Sequence, residues 1–247
     1  MPCLLLKNKK LVKTIQFKKE NYIGDPINAI KIYNEKEVDE LIFLDISATI
    51  QGQKPPFETI SEISDECTMP LTYGGAIRNS EDIKKIFNLG VEKISINSYA
   101  IENPDFISEI AHLFGNQSIV ASIDAKKHGT GYHICSHQGT RETRIDPAAW
   151  AHRLEQMGAG EILLNSIDRD GMMDGYDLPL ISAVSSNVSI PVIALGGAGK
   201  IEDFKVAIEA GASACAAGSL FVYQGKKRAV LINYPTRDEL LKILGEP

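Results

Sequence analysis

The chain has 247 residues, 44% of them hydrophobic and 23% charged, and a formal net charge of −6. That length suits one large α/β barrel or two small domains, and the acidic balance without a clustered basic face argues against nucleic-acid binding. No run approaches the 18 apolar residues of a membrane span, and no signal-type apolar segment follows the first lysines, so the expected compartment is the cytoplasm.

Short apolar runs alternate with longer amphipathic ones along the whole chain. Strands are expected at CLLL (3–6), 40–46, 70–75, 93–97, 118–124, 161–167, 191–197 and 214–219. Helices are expected at 25–38, 58–67, 79–90, 103–115, 146–158, 178–187, 200–211 and 236–244. Asp25-Pro26, Asn103-Pro104 and Asp146-Pro147 read as an N-cap followed by Pro at the first helical position. Gly90, Gly115, Gly158 and Gly211 fall where helices should end. Eight near-continuous apolar strands, each followed by a helix, predict a closed (β/α)8 TIM barrel. No linker-like stretch divides the chain, so residues 1–247 are expected to form a single domain.

The two halves resemble each other. MPLTYGGAIRNSEDIKKIFNLGVEKISINS (69–98) matches IPVIALGGAGKIEDFKVAIEAGASACAAGS (190–219), which predicts a barrel of two fused half-barrel repeats. Nearly the same offset carries Asp124 and Lys126 of SIDAKK back onto Leu5 and Lys7. Two symmetry-related strand ends are thus expected, and only one keeps a carboxylate.

Functional groups of a parallel barrel gather where its strands end. Gly74-Gly75 with Asn97-Ser98, and Gly196-Gly197 with Gly218-Ser219, put a glycine pair and a small hydroxyl in matching places in each half. A single Gly-Gly is as readily a turn. Two in register suit a ligand with a phosphate at each end, because glycine lets backbone N–H groups approach the anion. Asp124 is placed for general acid or base work, or for capping its loop. Asp45, Asp168 and Asp170 also stand at strand ends, and Asp170-Gly171 could orient a ligand or make a turn. The five histidines show no metal spacing, and His133 and His137, flanking Cys135 in a hairpin-like stretch, are expected to be solvent-exposed. The four cysteines are scattered without a CxxC, as reduced core thiols would be, and Trp150 is expected in the core. Glu40, Lys93 and Glu161 each begin a strand, so they should meet at the opposite end as a salt-bridge ring or around a narrow polar opening.

GDP near the start, DELIFLDISA, SINSYAIENP, SIDAKK, GAGEILLNSIDRDGMMDGYD and IALGGAGKIEDF together resemble the cyclase subunit of imidazole glycerol phosphate synthase (the HisF family), over about residues 3–223. The resemblance implies a glutaminase (HisH-like) subunit docked at the bottom of the barrel as a heterodimer, with ammonia passing through the barrel. It implies no metal or other cofactor. At the top, ammonia attacks a bisphosphate, giving imidazole glycerol phosphate and an aminoimidazole carboxamide ribotide. The charged gate for ammonia falls on Glu40, Lys93 and Glu161, and a fourth gate residue, an arginine, has no counterpart. Lys13 matches the lysine of a mobile first loop. The phosphate motifs fall on Gly75, Asn97 and Ser98, and on Gly171, Gly197, Gly218 and Ser219, with Asp170 beside them.

The sequence departs from that pattern at the ligand end. Of two catalytic aspartates the family requires, Asp124 matches one and Leu5 replaces the other; removing such a group typically costs about 10²–10⁴-fold in rate. Leu195 stands for a serine, Asn165 for a threonine and Ala76 for a third glycine. These changes point to a divergent paralogue that still receives ammonia, of the kind associated with surface polysaccharides, where the ammonia would serve a sugar amidotransferase. The alternatives are an authentic cyclase in which another group replaces the missing Asp, and a non-catalytic scaffold that activates the glutaminase. A related isomerase shares the repeat, but Leu5 and the Glu40/Lys93/Glu161 set argue against it.

Overall fold

The residue pattern of each strand shows why a barrel forms. In β2 (Leu41–Asp45), Leu41 and Phe43 are fully buried on one face and Ile42 is buried on the other, so both faces must be covered. The computed structural model describes residues 1–225 and 227–245. Its barrel strands are β1 (Cys3–Lys7), β2, β3 (Leu71–Gly74), β4 (Lys93–Ile96), β5 (Ile119–His128), β6 (Glu161–Ser166), β7 (Val192–Leu195) and β8 (Ala214–Cys215). They pair in parallel in sequence order from β1 to β8. A parallel bridge between Pro2 and Ala217 closes the ring, with the Cys3 N–H donating to the Ala217 carbonyl at 2.9 Å. The parallel barrel and its alternating helices match the sequence expectation.

Two apolar layers hold it together. Cys3, Ile42, Val120, Leu163, Ile193 and Ala216 fill the barrel interior. The outward faces of the strands pack against α1 (Pro26–Glu35), α2 (Phe57–Glu66), α3 (Ser80–Asn88), α4 (Asp105–Phe114), α5 (Pro147–Gln156), α6 (Leu178–Ser185) and α7 (Glu202–Glu209) in a second, larger cluster that includes Trp150. A last helix, α8 (Arg237–Leu244), opens with a capping box between Thr236 and Glu239. Asp25 and Asp146 cap α1 and α5 as expected, each with Pro at the start. Asn103-Pro104 does not cap α4. Asn103 ends a short helix, Ser98–Glu102, and no side chain caps the next one. The expected strand 214–219 is shorter as well, because Gly218 starts another short helix, Ser219–Val222.

Two antiparallel hairpins extend the symmetry. β1 runs into a hairpin with Lys10–Ile15, which pairs with Lys18–Gly24. β5 runs into Gly131–Ser136, which pairs with Arg141–Glu142. The second was readable as a hairpin; the first was not. Its tight turns use Asn8-Lys9 and Gln16-Phe17, all at positive φ, without the Asn-Gly or Asp-Gly signal that usually marks such turns. Cys3 and Cys135 are buried and Cys67 and Cys215 half-buried, all as free thiols.

Candidate functional site

The strand ends and the two hairpins enclose one cavity at the top of the barrel. Leu5, Lys13, Gly75, Asn97, Ser98, Asp124, Asp170, Gly171, Gly197, Gly218 and Ser219 all line it. These ligand-end residues of the sequence reading are brought together, whereas Asp168 is not among the lining. β1 and β5 are four places apart in an eight-stranded ring, so Leu5 and Asp124 come from opposite sides of the barrel.

Asp124 is the carboxylate at the centre of this wall. Asn97 donates to its Oδ2 at 2.6 Å and Asn165 to its Oδ1 at 3.4 Å. Enclosure by protein pushes its pKa up to about 7, with Asp170 adding to the rise and the two amides opposing it. A carboxyl poised there can both give and take a proton near neutrality. Asn165 thus becomes a second amide donor to Asp124. Leu195 on β7 pairs in register with Asn165 on β6 and adds an apolar side chain to the same wall.

Each half contributes a similar corner. Asn97 and Gly218 immediately precede the short helices that begin at Ser98 and Ser219. Gly75 holds φ +135°, and a Cβ there would meet the Asp45 carbonyl oxygen at 2.7 Å. Gly197 holds φ +110°, and its Cβ would lie 2.1 Å from the Gly175 carbonyl oxygen. Only glycine fits these two positions. Ala76 also adopts a left-handed φ of 55°, at a local cost of about 1–2 kcal/mol, and its N–H donates to Thr49 Oγ1. Among the described residues, the Ser219 hydroxyl and the Oδ1 atoms of Asn97 and Asn165 are buried without a protein partner, which leaves them available to a bound ligand.

Lys13 lies in the first hairpin with its ammonium buried, ion-paired to Asp170 at 2.6 Å. The Thr14 hydroxyl donates to the other Asp170 oxygen at 2.6 Å, and the Gln16 N–H donates to the Asp170 carbonyl. The hairpin is thereby fixed to the loop after β6. Asp45 lines the cavity and accepts from the N–H groups of Ser47 and Ala48, while Asp168 accepts from that of Lys127 on the neighbouring strand extension.

His137 corrects a sequence expectation. Its side chain is only 12% exposed, lies against Glu102 at 3.3 Å, and lines the cavity. Its backbone N–H donates to the Ser98 hydroxyl at 2.9 Å. Burial lowers its pKa, helped by Arg141. No sequence signal could place it there, because the fold of the second hairpin does so. His133 is half-buried rather than fully exposed.

At the opposite end, Lys93 reaches Glu161 at 2.8 Å and Glu40 at 3.2 Å. Burial works against the Lys93 ammonium, but the two carboxylates outweigh it and raise its pKa. The second oxygen of Glu161 is buried without a partner among the described residues.

The arrangement of double-repeat barrel, paired glycine corners and mouth aspartate agrees with a match to the family described as "Histidine biosynthesis protein", over residues 1–228. The chain belongs to this family. Among its relatives, the "Putative imidazole glycerol phosphate synthase subunit hisF2" of Pseudomonas aeruginosa is 54% identical over 242 residues, covering 97% of this chain and 96% of that one. The "Putative imidazole glycerol phosphate synthase subunit HisF" of Leptospira interrogans is 50% identical, covering 97% and 95%. The imidazole glycerol phosphate synthase subunit HisF of Streptomyces coelicolor is 44% identical over 222 residues, covering 90% and 88%. Family membership brings the (β/α)8 barrel with it. No helix among the described residues is long and apolar enough to cross a membrane.

Proposed function

We propose that this chain is the HisF-type subunit of a glutamine amidotransferase and forms a single domain. A HisH-like glutaminase docks at the strand-start end of the barrel, around Glu40, Lys93 and Glu161. Ammonia enters there and travels to the cavity. The names of the relatives, which are synthase subunits, support the coupling. At the top, the acceptor is a phosphorylated small molecule whose anionic groups meet the Gly75/Asn97/Ser98 and Gly171/Gly197/Gly218/Ser219 corners. Asp124 moves protons during attack by ammonia.

Leu5 carries the finer reading. It lines the cavity across the barrel from Asp124, where the family pattern requires a second carboxylate, and it cannot transfer a proton. The ring closure that needs two proton-handling groups is therefore impaired, and the ammonia serves a different acceptor. The divergent-paralogue reading assigns it to amidation of a surface-polysaccharide sugar by a partner amidotransferase. Names carrying a copy number, hisF2 in Pseudomonas aeruginosa and hisF3 in Vibrio vulnificus, fit such a branch.

An authentic cyclase of histidine biosynthesis is the second reading. Its support is Asp124 itself, kept in the cavity with a pKa of about 7. One assay separates the two: purified protein with the histidine-pathway bisphosphate and an ammonium salt. The paralogue reading expects turnover at least about 10²-fold below an ordinary cyclase, recovered in part by Leu5→Asp. Turnover at a full cyclase rate by the unaltered protein overturns it.

A further inference from the structure

A second group of side chains converges on the hairpin that extends β5, and the cavity does not use it. His128 ends β5, His133 lies in Gly131–Ser136, and Glu142 lies in Arg141–Glu142. The register sets Lys126 opposite His133 and Cys135 opposite Glu142. Side chains two apart on a strand share a face, so His128, His133 and Glu142 all project to the same side. His128 Nδ1 lies 3.1 Å from Glu142 Oε1, and His133 Nδ1 lies 3.3 Å from that same oxygen. The two rings stack with centroids 4.4 Å apart. All three donor atoms lie within 4.8 Å of one another.

The spacing is that of a metal site. With ligand bonds of about 2.0–2.1 Å, a tetrahedral ion sets its donor atoms about 3.3 Å apart. The two histidine-to-carboxylate separations, 3.1 and 3.3 Å, are already close to that value. The two nitrogens lie within 4.8 Å of each other, and the His128 side chain is exposed, with solvent on its outer side. Lys126 is held near the other Glu142 oxygen at 3.7 Å, which leaves Oε1 to a cation. Two imidazoles and one carboxylate select a borderline-soft divalent ion over Ca²⁺ or Mg²⁺, which take oxygen shells.

We propose that His128, His133 and Glu142 bind a divalent transition-metal ion of the Zn²⁺ class, with water as the fourth ligand. The ion ties the strands of the second hairpin together. That hairpin carries His137 to Ser98 and sets Cys135 opposite Asp124, so occupancy stiffens one wall of the cavity.

Co²⁺ is the probe, because a four-coordinate site gives it an intense visible absorption. The expected result is one equivalent of saturable Co²⁺, displaced by Zn²⁺. His128→Ala, His133→Ala and Glu142→Gln each weaken binding by about 10–100-fold, the loss that even outer-sphere changes cause at metal sites. His112→Ala and His152→Ala leave it unchanged. Circular dichroism of each variant checks that the fold is kept, and Zn²⁺ slows amide exchange across residues 128–142 of the unaltered protein. Co²⁺ uptake that survives all three substitutions overturns the proposal. So does uptake by the unaltered protein no greater than that of the His128→Ala/His133→Ala double variant.

Discussion

The Lys13 ammonium and the Asp170 carboxylate meet at 2.6 Å inside the barrel mouth, although 157 residues separate them in the chain. Both side chains are under 10% exposed, so removing either one strands a buried charge. Lys13→Ala and Asp170→Ala should each lower stability by about 3–5 kcal/mol in urea unfolding. The Lys13→Ala/Asp170→Ala double variant should lose less than the sum of the single losses. Strict additivity would mean that the pair does not act as a unit.

Asp124 makes stability depend on pH. Its pKa is raised to about 7 in the folded chain, against about 3.9 for an unperturbed aspartate. Between these values the folded state binds more protons than the unfolded one, so stability declines as pH rises from about 4 to 7. Asp124→Asn should remove that slope. It should gain about 4 kcal/mol over the unaltered protein at pH 8, with little gain at pH 4, in parallel thermal melts. Equal gains at both pH values would contradict the assignment.

Glycine replacements at the cavity corners test backbone fit. Gly197→Ala drives a Cβ into the Gly175 carbonyl oxygen at an unfavourable φ, and should cost about 3 kcal/mol or more. Its binding of inorganic phosphate, read by calorimetry, should fall with it. Gly24→Ala, with nothing within 4 Å and an ordinary φ, is the control and should stay within about 1 kcal/mol.

The Glu40/Lys93/Glu161 cluster should matter to the source of ammonia and not to its use. With the glutaminase partner present, Lys93→Met should reduce product formation from glutamine far more than from an ammonium salt. A parallel loss with both nitrogen donors would place the defect at the cavity and remove the conduit role.

Local chemistry in the sequence was enough to read most of the architecture. Apolar strands, Asp-Pro helix starts and the repeat of 69–98 in 190–219 are short-range signals, and strands and helices obey them. The first hairpin was hidden because Gln16 and Phe17 occupy a turn that glycine or asparagine usually announces, and because Lys18–Gly24 is mostly exposed and carries no apolar alternation. Asn103-Pro104 misled because Asn103 ends the short helix before it, which puts Pro104, with no side chain able to cap, at the start of α4.

The sequence by itself determined the barrel, the symmetric strand ends and the presence of Leu5 where its counterpart strand carries Asp124, since all three follow from residue type and spacing. Only the tertiary structure decided how those residues act on each other. It gave Asp124 two amide donors and an enclosure that lifts its pKa, buried Lys13 against Asp170, and turned His137 into the cavity wall. It also brought His128, His133 and Glu142 onto one face of a hairpin. Desolvation and through-space contact depend on which distant segments meet, and closure of the barrel sets that.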